Sequence, residues 1–159
     1  MASKTRPAPE WWFYHLERSP LEQAAGPLLA KCLEKGWRVL AVSESATRRS
    51  RLDAGLWTYD EQGFLPHGRA DDDGLDPHRQ PVLITETLDN ANGADAAFLL
   101  DGTEAPPNAP FKRCMVMFDG GDDPVRKVAR LQFKAAKDAG LVCRYFQQTP
   151  NGGWKEAGK

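Results

Sequence analysis

Short apolar blocks alternate with amphipathic stretches along this chain, and spacers rich in Gly, Pro and Asp separate them. Residues 11–16 (WWFYHL) have the aromatic composition of a strand. Ser19-Pro20-Leu21-Glu22 then reads as a helix start, with Ser as the cap, Pro at the first helical position and Glu closing a capping box. That helix is predicted to reach Lys35 and stop at Gly36. Pro27 removes a hydrogen bond inside it, which predicts a kink or a later start. Residues 38–43 (RVLAVS) read as a buried strand, and 45–57 as a short helix with Leu52 and Leu56 on one face. Residues 64–81 are loop-like. Two further strands, 81–87 (PVLITET) and 96–101 (AAFLLD), precede a Pro/Asn-rich turn and a fifth apolar block, 111–118 (FKRCMVMF). Asp122-Asp123-Pro124 caps a helix predicted to run to Ala139 and end at Gly140. Residues 141–147 (LVCRYFQ) form the last predicted strand, and Gly152-Gly153-Trp154-Lys155 lie in the tail.

This alternation predicts an α/β domain with a mainly parallel central sheet. A length of 159 residues suits one domain, placed at 11–159 behind a polar segment, 1–10, that reads as a flexible N-terminus. An α/β sheet invites a nucleotide, yet the required chemistry is missing. A phosphate cradle needs glycines where backbone N–H groups approach the ligand. The chain reads ERSPLEQAAG after the first strand and SESATRRS after the second, with no glycine before either helix. No GxSxG nucleophile elbow occurs. His67 and His78 flank an acidic loop, HGRADDDGLDPH, without the spacing that orders metal ligands, and it reads as solvated loop. The expectation is no catalytic residue, no cofactor and no metal site.

Composition narrows the field further. The formal net charge is -1, so any basic site is local. Cys32, Cys114 and Cys143 each sit in an apolar run and read as buried, reduced thiols of a cytoplasmic protein. No signal-peptide core follows the start, and no apolar stretch approaches the length of a membrane span.

Two features look like contact surfaces. On the helix at 124–139, a spacing of about 100° per residue puts Val125, Val128, Ala129, Ala135, Ala136 and Ala139 on one side, interrupted by Gln132. Opposite lie Arg126, Arg130, Lys134 and Lys137, with Phe133 pointing along the charged stripe. Cations around an aromatic suit an acidic peptide with an apolar end, or stacked nucleic acid. A solvated basic face accounts for the pattern equally well. The second feature is Trp57 and Phe64, in RLDAGLWTYDEQGFLPHG. Their composition alone places them at the edge of the core, although such aromatics are also enriched at interface hot spots.

The same stretch carries a family resemblance. Arg38-Val39-Leu40, then Arg51-Leu52-Asp53, Leu56-Trp57 and Phe64-Leu65-Pro66-His67 resemble the pattern of the chi subunit family of the bacterial DNA polymerase III holoenzyme. Ala129-Arg130, Phe133-Lys134-Ala135, Ala139-Gly140 and Trp154-Lys155 are similar to the family's C-terminal half. The resemblance covers most of the chain from Phe13, more loosely over 68–110. It departs where Phe133 replaces a frequent Tyr and where Gly120-Gly121 replaces a more apolar loop. It implies a three-layer Rossmann-like domain without a nucleotide site, and a non-catalytic adaptor of the clamp loader in DNA replication. Its implied partners are two. The acidic C-terminal tail of single-stranded DNA-binding protein, ending in aspartates and Ile-Pro-Phe, would be held by Arg126, Arg130, Phe133 and Lys134. The psi subunit, or an alternative helicase partner, would dock on Trp57 and Phe64. DNA would be contacted indirectly. Direct nucleic-acid binding by the helix at 124–139 is the alternative.

Overall fold

Strand β1 (Glu10–Leu16) lies inside the sheet, hydrogen-bonded in parallel on both sides, and this position explains its run of aromatics. The computed structural model describes residues 8–58, 65–72 and 74–157. Phe64 and most of the N-terminal segment 1–10 lie outside them. Helix α1 (Leu21–Glu34), strand β2 (Val39–Val42) and helix α2 (Ala46–Trp57) follow β1. Then come β3 (Gly68–Arg69), a 3-10 turn at Pro77–Arg79, β4 (Val82–Thr85), β5 (Ala96–Leu99) and β6 (Arg113–Asp119). Helix α3 (Asp123–Asp138), β7 (Cys143–Gln148) and β8 (Trp154–Ala157) complete the chain. Among the described residues the sheet has eight strands in the order β3-β4-β2-β5-β6-β1-β7-β8. Every pairing is parallel except β7 with β8.

The order fixes where the helices go. Chain leaving β1 travels three strands across to β2, whereas chain leaving β6 passes over β1 to β7. Right-handed crossovers in opposite directions must lie on opposite faces. Helices α1 and α2 accordingly pack on one core with Tyr14, Leu16, Val39, Phe98 and Met117. Helix α3 packs on the other with Phe13, Leu40, Val42, Leu99 and Phe118. The result is the three-layer, Rossmann-like arrangement.

Several local expectations need correction. Pro20, not Ser19, occupies the N-cap of α1, and no side chain caps it. The helix continues through Pro27, whose ring is on the exposed side, where solvent can reach the carbonyl it leaves unbonded. Residues 154–157, read as tail, add a strand to the edge of the sheet at β7. Ser45 caps α2 by accepting from the Arg48 N–H at 3.1 Å. Gly36 and Gly140 end their helices at φ 81° and 79°, a conformation that costs glycine nothing. Cys32 and Cys114 are buried, Cys143 is half-buried, and all three are free thiols. Burial pushes the Cys114 thiol up to about 12, which keeps it inert.

Candidate functional site

The turn after β1 is the place where a dinucleotide-binding fold presents N–H groups to a phosphate. Here those groups are already bonded. The Glu17, Arg18 and Ser19 N–H groups all donate to Oε1 of Gln148, at 3.1, 2.8 and 3.1 Å. Gln148, buried at the end of β7, also donates from Nε2 to Ser19 Oγ at 2.9 Å. The turn after β2 is occupied as well. Asp101 accepts from Ser43 Oγ at 2.6 Å and from Arg48 Nε at 3.1 Å, while Arg48 also pairs with Glu22. Side chains of the domain fill both turns.

A different surface opens toward the carboxyl ends of β1, β6 and β7, beside α3. Phe133 stands edge-on to Phe13 at 5.2 Å and to Tyr145 at 6.0 Å. It is half-buried and turned toward the sheet, which corrects its expected direction along the charged stripe. Ala135 and Ala139, expected on the inner side, are exposed. The buried residues of α3 are Ala129, Gln132 and Ala136. Gln132 is tolerated there because its amide accepts from the Ala105 N–H at 3.1 Å and donates to the Thr103 carbonyl at 3.3 Å.

The aromatic floor continues through His15. Its Nδ1 shares a 2.7 Å hydrogen bond with the Tyr145 hydroxyl, and its ring lies 5.1 Å from Phe118. Gly120 comes so close that a Cβ there would stand 1.9 Å from His15 Nε2. The glycine is needed for this approach, and the letters Gly-Gly alone read only as a turn.

The four cationic positions are not equivalent. Arg126 is half-buried, donating to the Gly120 carbonyl at 3.0 Å and pairing with Asp123 at 2.7 Å. Lys134 pairs with Asp138 at 2.9 Å. Lys137 reaches over the Phe133 ring at 6.0 Å. Arg130 is exposed and has no ion-pair partner among the described residues. Arg126 and Arg130 both act electrostatically on His15 and Tyr145. Burial of the His15 ring holds its pKa below the ordinary value, with both arginines adding to the effect and Glu17 and Asp119 opposing it. Burial raises the Tyr145 hydroxyl, so it stays protonated.

The His15 shift has a measurable consequence. Between its folded pKa and about 6.5, the unfolded chain binds more protons, so stability falls as pH drops through that window. A urea-denaturation series should show the midpoint falling more steeply below pH ~6.5 for the wild type than for His15→Gln. Parallel curves would remove His15 from the balance.

The second predicted surface is only partly described. Trp57, at the end of α2, is 58% exposed, which corrects its placement at the edge of the core. Its ring meets His67 edge-on at 4.9 Å. His67 is buried, bonds the Leu65 carbonyl through Nδ1 at 2.7 Å, and has Nε2 3.0 Å from Asp53, off the hydrogen-bonding direction. His78 is exposed on the 3-10 turn. No group of three or more potential metal ligands occurs among the described residues, and no helix there is long and apolar enough to cross a membrane.

Fold and site together define a class: a Rossmann-like α/β domain whose phosphate turn is filled from within and whose open surface is cationic and aromatic. The chain belongs to the family of the DNA polymerase III chi subunit, HolC, whose model matches residues 9–144. A relative from Rickettsia prowazekii (strain Madrid E), described as a probable DNA polymerase III subunit chi, is 24% identical over 150 residues. That match spans 90% of this chain and 88% of the relative. The family places the chain with the DNA polymerase III holoenzyme in DNA replication.

Proposed function

We propose that this chain is a non-catalytic adaptor linking the clamp loader of DNA polymerase III to single-stranded DNA-binding protein by capturing its acidic C-terminal tail. The observation that carries the reading is an unpaired cation, Arg130, on the same helix face as Arg126 and beside the ring cluster of Phe133, Tyr145 and Phe118. Tail carboxylates would pair with Arg130, Arg126 and Lys134. The terminal aromatic would rest against Phe133 and Tyr145. Arg130 is ready to bind, whereas Arg126 and Lys134 must exchange an existing carboxylate for the ligand's. The largest loss on truncation therefore falls at Arg130.

Trp57 and Phe64 would dock the psi subunit or a helicase in its place. Trp57 belongs to the face carrying α2 and the tail surface to the face carrying α3, so the two partners need not compete. The role implies work in the cytoplasm, reaching DNA through protein partners.

The test is fluorescence anisotropy with a labelled peptide ending Asp-Asp-Ile-Pro-Phe. Saturable binding is expected, weakening with salt because the pairs are exposed, and falling at least about tenfold, ~1.4 kcal/mol, in Arg130→Ala. Micromolar binding corresponds to ~8 kcal/mol, and the many tails on coated DNA raise the avidity. No binding by folded wild type would overturn the tail reading. Oligonucleotide binding without any partner protein would favour direct nucleic-acid recognition by α3 instead.

A further inference from the structure

On the face opposite α3, helix α1 leaves a recess over β6, β1, β7 and β8. Its volume is about 310 Å³, large enough for a small organic molecule. Trp12, Tyr14, Phe146 and Trp154 form one continuous aromatic wall, with ring centroids 5.2 to 5.4 Å apart. Leu28, Cys32 and Met115 complete the apolar lining. Lys31 and Lys35 stand at the helix side of the mouth, both exposed.

Arg113 is the unusual member. Its guanidinium carbon lies 3.6 Å from the centroid of the Trp12 ring and 4.8 Å from that of Trp37. Both indoles therefore contact the cation, leaving its in-plane N–H edge for hydrogen bonding. The neighbouring Arg144 is neutralised by a two-point pair with Glu156, at 2.8 and 3.0 Å. Glu10, opposite Arg113 in the strand register, accepts from the Trp12 indole at 2.9 Å. Arg113 has no carboxylate partner among the described residues, and its Nε is buried without a hydrogen-bond acceptor. The residue as a whole is half-buried, but a buried guanidinium nitrogen is ordinarily hydrogen-bonded.

We propose that this recess binds a small amphipathic carboxylate, with its head on the edge of Arg113 and the Tyr14 hydroxyl and its apolar body against Phe146, Trp154 and Met115. A planar, two-oxygen anion matches the planar edge of a guanidinium. Burial raises the Tyr14 hydroxyl well above its ordinary pKa, so it is available as a donor. Nucleic acid fits less well. Arg113 lies over Trp12 and Trp37, and Arg144 lies over Trp12 and Phe146, so cations occupy the ring faces that bases would need. The carboxylate could belong to a free small molecule or to a polypeptide's C-terminal residue, since both present the same group.

The test uses the full chain, calorimetry and N-acetylphenylalanine as the probe. The acid should bind at least about tenfold tighter than its amide, and at least about tenfold more weakly to Arg113→Met than to wild type. Leu28→Trp, which fills the recess and leaves the cation, should abolish binding and carries the test if Arg113→Met does not fold. Because the proposed tail surface also fits a terminal phenylalanine, each titration is repeated in an Arg130→Ala background, where that surface is weakened. The effects of Arg113→Met and Leu28→Trp should persist there, and their loss would overturn the proposal. An Ala-Ala-Ala-Ala-Phe peptide binding more tightly than the acid would identify a polypeptide C-terminus as the source; weaker binding would identify a free molecule. Equal affinity for acid and amide, no effect of Leu28→Trp, no saturation at millimolar acid, or displacement of the acid by oligo(dT) would each overturn the proposal.

Discussion

Gln148→Leu should lower the unfolding free energy by about 2 kcal/mol, because the turn after β1 loses the single oxygen that three of its N–H groups share. Leucine nearly matches the volume of glutamine, so packing changes little and the loss reports on hydrogen bonding. Solvent reaches part of this turn, since Glu17 and Arg18 have exposed side chains, so the loss stays below three full desolvation penalties. For a domain of this size the melting temperature should fall by about 4–8 °C. Gln148→Glu makes the mechanism visible: its carboxylate accepts from the same groups more strongly and can accept from the Ser19 hydroxyl. It should retain most of the stability lost in the leucine variant. Equal losses in the two variants would mean that the residue matters for its shape.

Gly120→Ala should have an effect of similar size, at the opposite side of the sheet. The added carbon would stand 1.9 Å from His15 Nε2, and the ring cannot simply step aside. Tyr145 bonds its other nitrogen and Phe118 packs against it. Overpacking of this kind costs about 1–3 kcal/mol. Arg126 is anchored to the Gly120 carbonyl, so peptide affinity on α3 should fall together with stability. The discriminating measurement is a double-mutant cycle with His15→Ala. Removing the ring leaves room for the new carbon, so the pair should be clearly less damaging than the sum of the singles. Additive losses would show that the glycine acts through its backbone.

How much of this was legible in the sequence depended on whether the signal was local. The α/β alternation and the stops at Gly36 and Gly140 follow from short-range patterning and backbone freedom. The orientation of α3 was harder. Phe133 lies at the border of the apolar side in the helical projection, and only the ring cluster of Phe13 and Tyr145 decides which way it turns. Ala135 and Ala139 looked internal because they are apolar, yet alanine gains too little from burial to orient a helix. Gln132 looked like an interruption because its partners, at 103 and 105, are remote in sequence. Strand β8 carries no clear alternation, and its place comes from pairing with β7. Arg126, Arg130 and Lys134 could be grouped on one face from spacing alone. That Arg130 is the unpaired one could not, because the neighbouring carboxylates had first to be placed.

The glutamine that reaches from the end of β7 into the turn after β1 also bears on how such a domain responds to its surroundings. A cradle that waits for a phosphate makes folding depend on the concentration of a diffusible molecule, by mass action. Here the occupant is attached to the chain, and its supply never varies. The folded population therefore does not follow any nucleotide pool through this turn, and the metabolic state of the cell has no handle there.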